Sequence, residues 1–404
     1  MKKNRQLWLG WLVALSTSLS ACTAPAFAPG AGRPGLQPGG AVGGRLASDA
    51  VGVNAGGAQD IAFARQAIAN GHVPSPDTFQ VQGLYAEHDL PVGEAPAGKT
   101  LHLAFGVGVA PALPQGERAH FVQVGLGSGL SESDLKRPDL KLVVVADRSG
   151  SMNGEKIVAL RQALKALVDR LTDRDQLGIV IFDDEVDTIR PLGAVTDKQA
   201  LHRLIDGIEP RGGTDIESGL KRGYEMLEQV TAAEGEDRRV LLLTDAQPNA
   251  GKTGPDSFEA LISRYGGQGV GLTAFGIGMD FGAALAETIG TQRGGNYVFL
   301  KDAEHVRTVF SRDFDHLMTP AAYDLNLKVT PAEGYRIAEV YGASEWKDEQ
   351  GAYEIKVKTL FFSRNRGAIM LRLAADDPEA APARVVAKGT LSYLERDRQT
   401  THTD

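Results

Sequence analysis

Three short stretches of the chain place oxygen-bearing side chains directly after apolar runs. KLVVVAD ends at Asp147 and opens into Arg148-Ser149-Gly150-Ser151-Met152, VLLLTD ends in Thr244-Asp245, and a glycine-rich loop reads Arg211-Gly212-Gly213-Thr214-Asp215. In an open α/β sheet, ligands bind outside the carboxyl ends of the strands, so loops of this kind are where binding chemistry is expected. Asp147, Ser149, Ser151, Thr214 and Asp245 supply only hard oxygens, from two carboxylates and three hydroxyls. That set suits Mg²⁺, which takes an octahedron of oxygens at about 2.0 to 2.1 Å and needs only one or two carboxylates, and Mn²⁺ would serve in its place. With Asp147 and Asp245 acting largely through water and hydrogen bonds, hydroxyl ligands leave the ion electron-poor and receptive to an acidic oxygen from a partner protein. Taken singly, each residue could be no more than a helix cap, since each loop precedes a helix. Asp215 reads as a helix-start residue rather than a ligand.

The surrounding pattern supplies the frame. Apolar runs at Leu142 to Ala146, Leu177 to Phe182, Val186 to Ile189, Val240 to Leu243, Gly271 to Gly276 and Tyr297 to Leu300 alternate with helical stretches. In the first of those stretches Ile157, Leu160, Leu164, Leu167 and Leu171 step by three and four. Strands apolar on both faces and separated by helices predict a doubly wound, mostly parallel sheet over residues 138–318. On either side, residues 93–137 and 319–404 show strand alternation instead, and the simplest arrangement is one discontinuous antiparallel, β-sandwich-like domain into which the α/β domain is inserted. Residues 58–92 read as a short helical segment: Asp60 opens a helix that Gly71 stops, and a second helix runs from Pro76 to about Glu87.

The oxygen set resembles the metal-ion-dependent adhesion site of von Willebrand factor type A domains, in which a D-x-S-x-S motif is joined by a distant Thr and a distant Asp. The matching residues are Asp147, Ser149, Ser151, Thr214 and Asp245, in the family's order. The resemblance covers about residues 138 to 318 and implies the Rossmann-like sheet of that family, a divalent cation at those five residues and a protein partner whose acidic side chain completes the coordination. The sequence departs from the pattern at Ala246, where the family usually has Gly; the change removes no ligand.

The N-terminus carries a second signal. Lys2, Lys3 and Arg5 precede an apolar stretch from Leu7 to Leu15, as in a secretory signal peptide over residues 1–21. Leu19-Ser20-Ala21-Cys22 then resembles the lipobox of bacterial lipoproteins, which implies a lipid on the thiol of Cys22, the only cysteine. Loss of residues 1–21 would remove three positive charges and no negative ones from a chain whose formal charge is already −8, so a lipid rather than basic attraction must hold the protein on a membrane. Residues 22–57 are rich in Gly, Ala and Pro and read as a disordered tether. Thr23 is not acidic, which by the same resemblance implies the outer rather than the inner membrane.

The remaining composition excludes more than it suggests. At 404 residues and about 150 per domain the chain holds two or three domains. Its acidic balance argues against nucleic acid as a partner. Residues 246–253 fit a relaxed phosphate loop, but Gly254-Pro255 separate the Lys-Thr pair from any helix, so no nucleotide is expected. No G-x-S-x-G, H-E-x-x-H or available nucleophilic Cys occurs, and nothing supplies a placed general base, so a binding module is expected rather than an enzyme. The alternatives are an envelope scaffold with a non-essential metal site and a metal-dependent hydrolase. The last residues, from Leu394, look like a strand followed by a polar turn with nothing to turn into; either the strand is a solvent-facing edge blunted by charge or the sequence is a truncated reading of a longer protein.

Overall fold

The computed structural model of the protein describes residues 50–55, 62–74, 96–112, 117–245, 255–278, 283–343, 345–349, 351–364, 367–377, 385–397 and 399–403. The signal peptide, Cys22, most of the tether, the second N-terminal helix and Ala246 lie outside the described residues.

In chain order the strands are β1 (Ala50–Ala55), β2 (His102–Ala112), β3 (Glu117–Ser131), β4 (Asp139–Asp147), β5 (Gln176–Phe182), β6 (Val186–Ala194), β7 (Glu236–Thr244), β8 (Val270–Ile277), β9 (Gly295–Leu300), β10 (Pro320–Pro331), β11 (Tyr335–Tyr341), β12 (Glu345–Glu349), β13 (Ala352–Ser363), β14 (Gly367–Ala375), β15 (Ala387–Leu394) and β16 (Thr401–Thr403). They form two sheets. The first has the order β6-β5-β4-β7-β8-β9 and is parallel except for β6, which turns back on β5. Its strands are apolar on both faces because both faces are covered. Leu142, Val144 and Ala146 of β4 pack with Ile157, Leu160, Leu201, Ile205 and Phe310 on one side, while Val143 and Val145 pack with Ile216, Leu220, Tyr224 and Phe258 on the other. This is the doubly wound sheet that the sequence predicts.

The second sheet is antiparallel and runs β11-β14-β3-β1-β13-β10-β15-β16, with β12 on β13 and β2 on β3. Its strands come from both sides of the α/β domain, and Val122, Val124, Leu327, Ile355, Leu371 and Leu373 share one core. Strand β1 corrects the reading of residues 22–57 as tether throughout. Gly52 pairs with Gly127 of β3 and with Ser363 of β13, and Val51 and Val53 are fully buried. Two valines among Gly and Ala carry too little periodicity to announce a strand; its partners, far away in sequence, supply the pairing. At the other end of the chain, Thr401–Thr403 pair with Ser392–Leu394, so the polar turn does lead into a further strand. The helix Ala62–Ala69 ends at Gly71, whose φ of 78° is the left-handed stop expected there.

The two sheets meet through arginines. Arg239, fully buried near the start of β7, donates to Thr273 Oγ1 (3.1 Å) and to the Gly294 carbonyl (3.0 Å), pairs with Asp237 (3.2 Å) and lies 5.3 Å from the ring centre of Phe361 in β13. Arg293 stacks on Tyr323 and pairs with Asp324 of β10. Arg137, between the sheets in sequence, makes a two-pronged bond to buried Asp175 at 2.9 and 2.8 Å. Burial alone would raise the Asp175 carboxyl, but Arg137 and the amides of Thr172 and Leu140 hold it below the usual carboxylate range. Arg239 and the Arg137–Asp175 pair lie toward the amino ends of the parallel strands, the opposite ends from Asp147 and Asp245. Arg239→Ala should cost about 3 kcal/mol in urea unfolding, because it strands the Asp237 carboxylate and opens a cavity at the joint. Arg293→Ala, at a partly exposed pair, should cost less than about 1 kcal/mol. Equal losses would remove the distinction between the two arginines.

Candidate functional site

The carboxyl ends of β4 and β7 are neighbours: Ala146 pairs with Leu243, which sets Asp147 beside Thr244. Both carboxylates of the expected set, Asp147 and Asp245, are fully buried. Asp147 Oδ1 accepts the amide of Ser149 at 2.7 Å and its Oδ2 accepts the Thr244 hydroxyl at 2.5 Å. The chain then makes a tight turn, Gly150–Met152, that brings the hydroxyls of Ser149 and Ser151 to 3.0 Å from each other. Ser151 Oγ in turn donates to Asp245 Oδ1 at 2.9 Å. Four of the five expected residues thus form one continuous hydrogen-bonded chain from Asp147 to Asp245.

Thr214 arrives on the neighbouring loop. The amide of Gly150 donates to the carbonyl of Gly212 at 3.0 Å, tying the two loops together two residues before Thr214, which is itself buried. Gly212 has φ 69°, and a Cβ there would fall 1.9 Å from Asp184 Oδ1, so this close approach requires glycine. Asp215 caps the helix Ile216–Glu228, accepting the amide of Ser218, in keeping with its reading as a helix-start residue. Ser149 makes no side-chain cap to the turn that follows it.

Three neighbours escaped the sequence reading. Thr244 does so because it ends the apolar run of β7 and its hydroxyl finds Asp147 only through strand pairing. Lys156, near the start of the helix Glu155–Arg170, places Nζ 2.5 Å from Asp245 Oδ2. Arg148, the variable residue inside the D-x-S motif, joins Arg211 on Asp183, each Nε lying 2.7 Å from the same carboxylate oxygen, and also reaches Asp187 at 2.6 Å. Burial would raise the Asp183 carboxyl, yet the two arginines and the Glu185 amide hold it below the ordinary range. The run Asp183-Asp184-Glu185-Val186-Asp187 after β5 was the available signal for this rim.

The donor chemistry fits a small hard cation. Two dry carboxylates lie beside the hydroxyls of Ser149 and Ser151, with buried Thr214 on the adjoining loop, and among the described residues no group of three His, Cys, Asp or Glu gathers anywhere to offer softer or more anionic ligation. Burial pushes the Asp147 carboxyl up to about 6, and the nearby Asp245 adds to the rise against the bonds from Thr244 and Ser149. A carboxylate so deprived of solvent is one that positive charge would stabilise.

Comparison with known proteins bears on the fold. Residues 141–312 match the family model of the von Willebrand factor type A domain. The chain is 28% identical to the Escherichia coli (strain K12) protein YfbK over 254 residues, which span 61% of this chain and 43% of that protein. It is 31% identical over 166 residues to human inter-alpha-trypsin inhibitor heavy chain H4, covering 38% of this chain and 17% of that one. The chain therefore spans less than half the length of either relative. A solved von Willebrand factor type A structure from Catenulispora acidiphila superposes with a TM-score of 0.50 at 16% identity, over 76% of this chain and 72% of that chain, and shares its fold.

The buried Asp147 has a measurable signature in the presence of chelator. Its raised pKa means that between pH 3.8 and about 6 the unfolded chain has released a proton that the folded chain still holds, so stability falls as pH rises through that window. Asp147→Asn should match wild type near pH 4 and exceed it by on the order of 3 kcal/mol above pH 7, at about 1.4 kcal/mol per pKa unit. Urea titrations in EDTA at several pH values read this directly, and a difference independent of pH would remove the buried-carboxyl account.

Proposed function

We propose, from the premise that residues 141–312 form a von Willebrand factor type A domain, that the protein is a lipid-anchored envelope component that captures a partner protein through a divalent-cation site. The observation that carries this reading is the unbroken run of bonds from buried Asp147 through Ser149 and Ser151 to buried Asp245, at the carboxyl ends of β4 and β7. Domains of this type typically mediate protein–protein interaction or adhesion, and the relatives are mostly not enzymes.

Ser149, Ser151 and Thr214 would hold Mg²⁺ or Mn²⁺ by their hydroxyls, with Asp147 and Asp245 supporting it largely through water. When bound, the ion supplies a coordination position that favours an acidic oxygen; Ca²⁺, which prefers more ligands at longer distances, fits less well. Asp147 and Asp245 contribute negative charge that cannot itself leave the protein. Ser149 and Ser151, already in mutual contact, are held by the turn at Gly150–Met152, so little ordering remains to be done when a partner arrives. The partner's carboxylate and the ion then reinforce each other's binding, as reciprocal linkage requires.

The anchor rests on Leu19-Ser20-Ala21-Cys22 and on the net negative charge of the chain. Diacylation at Cys22 would hold the protein stably where a single acyl chain would not. With Thr23 beside it, the outer membrane is the favoured destination, and residues 23–49 are long enough to let the folded part reach away from the bilayer.

The test begins with capture of a partner from the native envelope, followed by calorimetry. Wild type with Mg²⁺ should bind the captured partner at least tenfold more tightly than wild type in EDTA or Thr214→Ala with Mg²⁺, while Thr214→Ala melts within a few degrees of wild type because a loop hydroxyl contributes little packing. Equal affinities in all three would show that the site is not the recognition element and would favour a scaffold role. Separately, Cys22→Ser should lose the lipid mass and leave the membrane fraction; unchanged mass and partitioning would refute the anchor.

A further inference from the structure

We propose that Lys156 is a tethered cation that occupies the Asp245 side of the site and must leave before a divalent ion is held there, so that this one side chain sets how readily the site fills. The inference rests on the metal reading above. Asp245 is fully buried and both its oxygens are engaged: Oδ1 accepts the hydroxyl of Ser151 at 2.9 Å, and Oδ2 takes the Lys156 ammonium at 2.5 Å. One of those partners is a hydroxyl assigned to the ion. The other is a positive charge located where the ion's charge would act.

Two features indicate that Lys156 is built into this position. It lies in the first turn of the helix Glu155–Arg170, where the positive end of the helix dipole disfavours a cation, so its placement needs a compensating partner, and buried Asp245 provides one. Its path is also cleared by a glycine: a Cβ on Gly278, whose φ is 81°, would stand 3.1 Å from Lys156 Cε and 3.8 Å from Nζ. The side chain therefore runs across the exit of β8. It is 26% exposed, and its four-carbon stem is flexible, so it can move out to water without rearrangement of the strands. Arg148 and Arg211 do not share this role, since they are committed to Asp183 and its neighbours.

Because the ammonium and a divalent ion repel each other beside the same buried carboxylate, the metal-competent state is the fraction of molecules in which Lys156 has swung away, and apparent metal affinity falls by that fraction. A latch closed about nine-tenths of the time weakens binding about tenfold. Once released, the ammonium is left more open to solvent and to reagents.

Manganese binding to the full chain, read by the electron paramagnetic resonance of free Mn²⁺, tests the proposal. Lys156→Met should bind Mn²⁺ about tenfold more tightly than wild type. Lys165→Met, which removes the same charge from an exposed pair with Asp206, should bind as wild type does. Reductive methylation followed by peptide mass spectrometry should show Lys156 labelled several-fold faster with Mg²⁺ than with EDTA, and Lys165 labelled equally in both. If wild type binds Mn²⁺ and Lys156→Met binds no more tightly, or if Mg²⁺ does not speed labelling of Lys156, the latch is overturned and the metal site stands. If neither wild type nor Lys156→Met binds Mn²⁺, the metal reading falls and the latch with it.

Discussion

Two carboxylates held out of water at the ends of adjacent strands are the constraint around which this protein is arranged. Asp147 and Asp245 lie at neighbouring strand ends, both fully buried, where unscreened negative charge is costly. Every polar group close to them offsets that cost: the Ser149 amide and Thr244 hydroxyl on Asp147, the Ser151 hydroxyl and Lys156 ammonium on Asp245. The offset is incomplete, as the raised pKa of Asp147 records. A fold that keeps such a pair maintains a standing attraction for positive charge at one point, and the proposed binding role rests on that attraction.

The doubly wound sheet makes this possible because its two ends are used differently. Arg239, with Asp237, Gly294 and Phe361, joins the α/β domain to the antiparallel domain near the amino ends of the strands. The carboxyl ends carry Asp147 and Asp245 instead. The loops there brace each other, through the Gly150 amide on the Gly212 carbonyl and through the arginines gathered on Asp183. Bracing of this kind fixes the rim before any ligand arrives.

The antiparallel domain shows how a chain can close a sheet across a long insertion. Strand β1 sits between β3 and β13, which are separated in sequence by the whole α/β domain. With Val51 and Val53 buried on it, this strand adds a second join between the flanking segments, which already meet where β3 pairs directly with β14. Placed between the folded domain and Cys22, β1 also fixes where any tether must begin.

The five oxygen residues were legible in the sequence because they are local events: each follows an apolar run or sits in a glycine-rich loop, and strand-end position is a property of a few consecutive residues. The alternation of helix and strand over residues 138–318, and the return to strand alternation beyond it, were legible for the same reason, since periodicity is written within each element. What the tertiary structure alone decided is which distant groups meet. Lys156 reaches Asp245 across 89 positions and Thr244 reaches Asp147 across 97. Arg239 is polar in sequence yet entirely buried, because Asp237, Gly294 and Phe361 receive it. The edge strand Glu345–Glu349 gets its hydrogen bonds from β13, and β1 reads as tether until β3 and β13 supply theirs. Pairing energy belongs to two partners at once, and a single stretch of sequence states only one of them.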